Sequence, residues 1–276
     1  MIMKIRTILI ISVICLLFAS CSTPIGFAYD FVRKSNGAEV AFYVPYQLDK
    51  INIRKDCQGS FLDSIAPEDI NDTINARTKI VNKIDDEKFF NVMISSFEST
   101  LNDYNLKLSY WENENTKPDS LHWVVDLSHI EVIEFIEYIM ANCGYEGNYE
   151  FFPSTSVNVD SWFELINNDK PTGTLLYTEQ SYVEYVEDCG YYLDSLNNVI
   201  ASADIQRLTI DGFYDFAVML GKLYAGYSYD YFMNEYVRRE MMRRGKEYSE
   251  EKYMRYDPYE SYIYHTRRDK LIKIEE

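Results

Sequence analysis

An apolar run of 12 residues at positions 7–18 (TILIISVICLLF) decides which part of this chain folds, and where. Spanning a bilayer takes about 20 residues, so the run is too short to cross one. Lys4 and Arg6 precede it, and Ala19, Ser20 and Cys21 follow it. A basic start, a short apolar stretch and small residues at its end make a secretory signal. Residues 1–20 are then signal, and the folding body is the 256 residues from Cys21 onward. Loss of Lys4 and Arg6 leaves 25 basic against 44 acidic residues, a net charge of −19. A body this acidic is no nucleic-acid binder, because a phosphate backbone needs a basic footprint. Anionic membrane surfaces repel it as well, so charge cannot hold it to a membrane. The whole chain is 47% hydrophobic, enough apolar surface to bury, which excludes a disordered chain.

The residues around the cleavage point carry a more specific resemblance. Phe18-Ala19-Ser20-Cys21 resembles the bacterial lipobox, with Phe18 where that motif usually carries Leu. The resemblance implies cleavage before Cys21, diacylation of its sulfur and acylation of the new amino group. Several acyl chains give stable anchoring where one alone is marginal. Ser22 follows the cysteine rather than Asp, and no acidic run comes next. The expected location is therefore the periplasmic face of the outer membrane, with residues 21–37 as a lipidated tether ending at the turn dipeptide Asn36-Gly37.

Cys15 leaves with the signal and Cys21 carries lipid, so Cys57, Cys143 and Cys189 remain in an oxidising compartment. Cys143 and Cys189 form the candidate disulfide because each stands beside a glycine at the end of an element; the alternative is three buried thiols. The spacing of the cysteines matches no metal pattern, so neither a metal nor a cofactor is expected.

Along the body, residues 38–44 and 50–54 read as strands, and residues 67–77 as a short helix or part of a long loop. Residues 85–104 predict a helix, since Phe89, Phe90, Met93, Phe97 and Leu101 recur at helical spacing behind an acidic start. Alternation at Leu121, Trp123, Val125 and Leu127 predicts a strand. Residues 128–142 pull both ways. Ser128 with Glu131 resembles a capping box and Glu131, Glu134 and Glu137 step by three, but the density of β-branched residues favours continuation of the strand. Residues 157–166 and 174–186 predict a hairpin across the turn at 168–173. Beyond Gly190 the periodicity turns helical, at 193–203, 211–227 and 230–244, with short strands at 259–265 and 271–274. Strands, a helix, a hairpin and then helices make an α+β protein: a mixed sheet packed by helices over 38–190, and a mainly helical, tyrosine-rich C-terminal part over 191–276.

Four segments carry a family resemblance: Val44-Pro45 leading into Leu48-Asp49-Lys50-Ile51-Asn52-Ile53; the helix around Phe89; the strand centred on Trp162; and Gly221-Lys222-Leu223-Tyr224-Ala225 with Val237-Arg238-Arg239. Together they resemble a group of Bacteroidota lipoproteins, distantly similar to the penicillin-binding-protein activator LpoB and the amino-terminal domain of TolB. The resemblance implies a lipid-anchored role in the cell envelope and carries no catalytic residue with it.

The residues themselves offer no catalytic set. His122, His129 and His265 are the only histidines, and no metalloprotease run, phosphate loop or nucleophile elbow is present. Among the many carboxylates, Asp126 and Glu164 are the least unsuitable pair for a hydrolase, which would hold them in a deep acidic cleft. One basic cluster stands out: Arg238, Arg239, Arg243 and Lys246, with Arg239, Arg243 and Lys246 on one predicted helix stripe opposite Met233, Val237 and Met241. It is either a solvated face or a contact for an anionic partner. Of the 25 tyrosines, 17 lie between Tyr177 and Tyr264, which suits either helix-to-sheet packing or a recognition surface. The expected function is that of a non-enzymatic accessory or scaffold of periplasmic or outer-membrane complexes. The alternative is a glycan- or peptidoglycan-binding lipoprotein that uses its C-terminal aromatics.

Overall fold

The computed structural model describes residues 23–54, 70–109, 121–144, 147–167, 170–248, 253–266 and 271–274. Cys21 and Cys57 lie outside them. The segment expected to be a tether instead carries helix α1 (Pro24–Ser35). Thr23 caps it, its Oγ1 accepting from Gly26 N, and proline occupies the first turn, where no N–H is needed. Phe27 and Phe31, one helical turn apart, are buried in the main core. Gly37 then takes a left-handed φ of 78°, which turns the chain into strand β1 (Glu39–Tyr43).

Strand β2 (Asp49–Asn52) and helix α2 (Ile70–Arg77) lead to helix α3 (Asp86–Asp103). Asp85 caps α3 by accepting from Lys88 N, and Asp86 and Glu87 favour the positive end of its dipole. Strand β3 (Lys107–Ser109) returns beside β1. The central element is strand β4 (Leu121–Asn142), 22 residues long. It pairs in parallel with β1 and β2 along one edge and antiparallel with β5 (Tyr149–Asn167) along the other. Strand β6 (Lys170–Val183) closes the expected hairpin with β5. Residues 128–142 are therefore strand, and the three-residue step of glutamates splits across two faces. Glu134 points into the core, while Glu131 and Glu137 point away from it.

The expected helix at 193–203 is absent. Strands β7 (Tyr185–Leu193) and β8 (Val199–Gln206) form a separate antiparallel hairpin there. Leu193 and Ile200 are exposed strand residues, and Leu196 is exposed in the turn between the two strands. Cys143 is disulfide-bonded to Cys189, with the two Cα atoms 4.6 Å apart. Cys189 lies within β7 rather than at its end, and the bond ties this hairpin to the far end of β4.

The two helices expected at 211–227 and 230–244 are one, α4 (Ile210–Arg243). Ser228 and Tyr229, at the supposed break, are both buried on the core side. Thr209 caps its start through Gly212 N. At its end Lys246 N bonds Met241 O and Gly245 N bonds Met242 O, with Gly245 at φ 66°. Strands β9 (Tyr253–Asp257) and β10 (Tyr262–Thr266) form a second small hairpin, and β11 (Ile272–Lys273) joins β6 at the sheet edge. The main sheet runs β11-β6-β5-β4-β1-β3, with β2 also on β4. Phe89, Met93 and Phe97 of α3 and Phe213, Leu220 and Tyr224 of α4 cluster with Val125, Leu127, Val159 and Phe163 of the sheet. The architecture is α+β, a mixed sheet packed by helices, with α4 dominating the C-terminal third.

Two buried carboxylates organise the polar part of this core. Glu134 is fully buried, and its oxygens accept from the backbone N–H groups of Lys79, Ile80 and Val81 and from Arg54 Nη1. Glu184, between β6 and β7, accepts from Lys79 Nζ, Arg207 Nη1, Thr155 N and Leu208 N. Burial pushes the Glu184 carboxyl up, but Lys79, the Thr155 amide and Arg207 together hold it below the ordinary value of 4.5.

Two outcomes follow from this packing. A carboxyl held below its unfolded value contributes stability that is present above about pH 4.5 and is lost as pH falls through the folded value. Denaturant melts of the wild type should therefore weaken with acid in that range, and Glu184→Gln should flatten this slope; an unchanged slope would show that Glu184 does not report on folding. At the α3–α4 crossing, a Cβ on Gly221 runs into the Met93 carbonyl oxygen and lies 3.0 Å from Phe97 N. Gly221→Ala gains about 1 kcal/mol of helix propensity but overpacks against backbone at a cost of about 1–3 kcal/mol, so its melting temperature should fall. Gly226→Ala meets only the Tyr104 hydroxyl, at 3.3 Å, and should hold or gain stability.

Candidate functional site

The C-terminal half of α4 faces the β6–β11 edge of the sheet across a cavity of about 430 Å³. Tyr231, Asn234, Glu235 and Arg238 recur at helical spacing and form its helix wall, Leu176 and Lys273 contribute from the sheet, and Tyr248 and Tyr253 close the remaining side. The volume lies in the range of small-molecule sites.

Asn234 shapes this site. Its Nδ2 donates to the carbonyls of Asp230 and Met254, while its Oδ1 accepts from Tyr248 Oη at 2.6 Å and from Met254 N. One amide thus fixes both the phenol of Tyr248 and the start of β9 against the helix. One turn earlier, Asp230 accepts from Tyr256 N and pairs with Arg255. Arg238 donates from Nε and Nη2 to the two oxygens of Glu235, so its guanidinium is held in place inside the cavity wall. The wall therefore presents phenols, an oriented guanidinium, an ammonium from Lys273 and one carboxylate. Such a set suits a polar ligand with an anionic group and a flat or ring-shaped body.

The basic cluster read from the sequence does not form one stripe. Arg238 lines the cavity. Arg239 is half-buried, and Arg243 is exposed and paired with Glu240 at 2.9 Å. Lys246 follows the left-handed Gly245 and has left the helix altogether. Asp126 and Glu164 stand directly opposite each other on β4 and β5, on the sheet face turned away from the helices, and neither lines the cavity. His122 belongs to β4 and His265 to β10, which lie in different sheets.

The tyrosines divide by environment. Tyr224 and Tyr229 are fully buried, their hydroxyls near Ser161 Oγ and Ser35 Oγ, and burial pushes both phenols well above their ordinary value. Tyr185, Tyr191, Tyr192 and Tyr262 are exposed. Tyr231, Tyr248 and Tyr253 line the cavity, and the sequence carried no signal to separate them from the rest, because the cavity exists only once β11 has returned to β6.

The chain matches no family model and no curated protein. Among solved structures it is similar to a putative neuraminyllactose-binding hemagglutinin homolog from Helicobacter pylori, at 8% identity over 75% of this chain and 91% of that one, with a TM-score of 0.30. A similarity at that level does not bear on the fold or function of this chain.

Proposed function

We propose that this chain is a lipid-anchored cell-envelope protein of the periplasmic face of the outer membrane. It works by binding, as an accessory or scaffold of envelope complexes, and not by catalysis. The observation that supports this reading is the sequence at 4–21: basic residues, a short apolar run and small residues ending at Cys21. No helix among the described residues is long and apolar enough to cross a membrane. With a net charge of −19 after signal removal, attachment falls to the acyl chains. In membrane fractionation the wild type should pellet with the envelope, and Cys21→Ala should leave it. Equal amounts of the two proteins in the membrane pellet would defeat the anchoring claim.

The cavity beside α4 favours a second reading, in which the bound partner is peptidoglycan. Its peptide stems carry carboxylates that suit Arg238 and Lys273, and its sugar rings suit the faces of Tyr231 and Tyr248. Wild-type protein should then co-sediment with isolated peptidoglycan. Arg238→Ala combined with Tyr231→Ala should lower that affinity by about tenfold or more, as loss of an aromatic anchor and a charged pair does. Sedimentation that is equal in the two proteins would rule out this cavity as the site.

A further inference from the structure

The sheet face turned away from α3 and α4 gathers a set of donors that neither the anchor nor the cavity uses. Asp49 of β2 is the parallel partner of Glu131 in β4. His129 stands two residues before Glu131 on the same strand, and therefore on the same face. It reaches that face only through a bulge between Leu127 and His129, in which Ser128 is the extra residue. Val125 and Leu127 are buried on the inner face, and so are Ile130 and Val132. Strict alternation from Leu127 would have turned the imidazole into the core and the acids of the next turn of pleat with it.

The result is a compact set of mixed donors. His129 Nε2 lies 3.1 Å from Glu131 Oε1 and 3.4 Å from Asp49 Oδ2, and one ligand atom from each of the three residues falls within 4.8 Å of the others. Trp162, opposite His129 on β5, packs its ring 5.0 Å from the imidazole and limits how the ring can turn. Among the described residues neither Asp49 nor Glu131 has a lysine or arginine partner; each meets only His129.

A further carboxylate extends the acidic set on the same face. Asp160, opposite Glu131 on β5, keeps Oδ1 shut away from solvent with no hydrogen-bond donor. Glu179, opposite Asp160 on β6, adds a further negative charge. Asp49, Glu131, Asp160 and Glu179 concentrate negative charge on this face of adjacent strands, and a divalent ion offsets it.

The geometry points to a metal site on this face, in which Asp49, His129 and Glu131 bind one divalent transition ion of the zinc class and water fills the remaining coordination. One imidazole nitrogen with two carboxylate oxygens suits such an ion better than magnesium or calcium, which take oxygen ligands throughout. The ion joins β2 to β4 at a point where β2 offers only four paired residues, so it also pins the sheet edge.

The test uses the mature lipidated chain in detergent, free of any affinity tag and stripped with a chelator, with zinc and cobalt ions alone as probes. Calorimetric titration should show one zinc ion per chain, and cobalt should give a ligand-field absorption spectrum that zinc abolishes. Asp49→Asn and His129→Ala should each weaken zinc binding at least about tenfold, since even outer partners of a metal site change affinity by that much. His265→Ala should leave it unchanged. Far-ultraviolet circular dichroism of each variant establishes that it is folded, and His129→Gln replaces His129→Ala if that variant is not. Absence of saturable zinc uptake by the wild type, or uptake that survives both His129 and Asp49 substitution, overturns the site.

Discussion

The carboxylate of Glu134 is the interaction on which the arrangement of the core depends. Taking an ionised carboxylate out of water costs several kcal/mol, and the cost is met only where donors surround it. Here three consecutive backbone N–H groups, from Lys79 to Val81, and the guanidinium of Arg54 supply them. Those donors come from two segments distant in sequence, the end of β2 and the turn ahead of α3. Arg54 also donates to Thr155 of β5, so one charge ties both neighbours of β4 to it. The approach to α3 is fixed by this anchorage, and the close α3–α4 crossing at Gly221 follows from where α3 lies.

Glu184 repeats the arrangement at the junction of β6 and β7, and Lys79 contributes to both clusters, through its backbone to Glu134 and its side chain to Glu184. Beyond this junction the sheet extends away from the helices. The far end of β4 and the β7–β8 hairpin expose Tyr138, Met140, Tyr191 and Leu193, and the Cys143–Cys189 bond holds the two parts together. At the opposite end α4 supports the C-terminal hairpin through Asp230 and Asn234, two polar residues one helical turn apart. The cavity lies between that support and the sheet edge. Tyr248 is held in place by the hydrogen bond its hydroxyl donates to Asn234, so this part of the lining loses little side-chain entropy on binding.

Much of the secondary structure was legible because it rests on local periodicity. Helix α3 follows from Phe89, Met93, Phe97 and Leu101 behind an acidic cap, and the β5–β6 hairpin from alternation about a turn rich in Asn, Asp, Pro and Gly. Residues 21–37 read as a tether, yet Pro24 in the first turn and Phe27 and Phe31 one turn apart are helix signals, and the segment carries helix α1. Residues 193–203 read as a helix, but they form the end of β7, the turn and part of β8, whose apolar residues are largely exposed. The candidate sites were less legible still. Helix termination at Gly245 separates Lys246 from the arginines, and the bulge at Ser128 sets which face His129 takes. Neither shows in a count of spacings.

The sequence by itself determined the acidic charge and the α+β class. These depend on composition and on contacts between residues a few positions apart, which any chain of this pattern would form. The tertiary structure alone decided that Glu134 is a core residue, that Arg238 and Tyr248 share a cavity, and that Asp49 meets His129 and Glu131. Each of these rests on the register of strands far apart in the chain, and register is set by the total burial of a sheet face against its helices. That sum is not contained in any single segment.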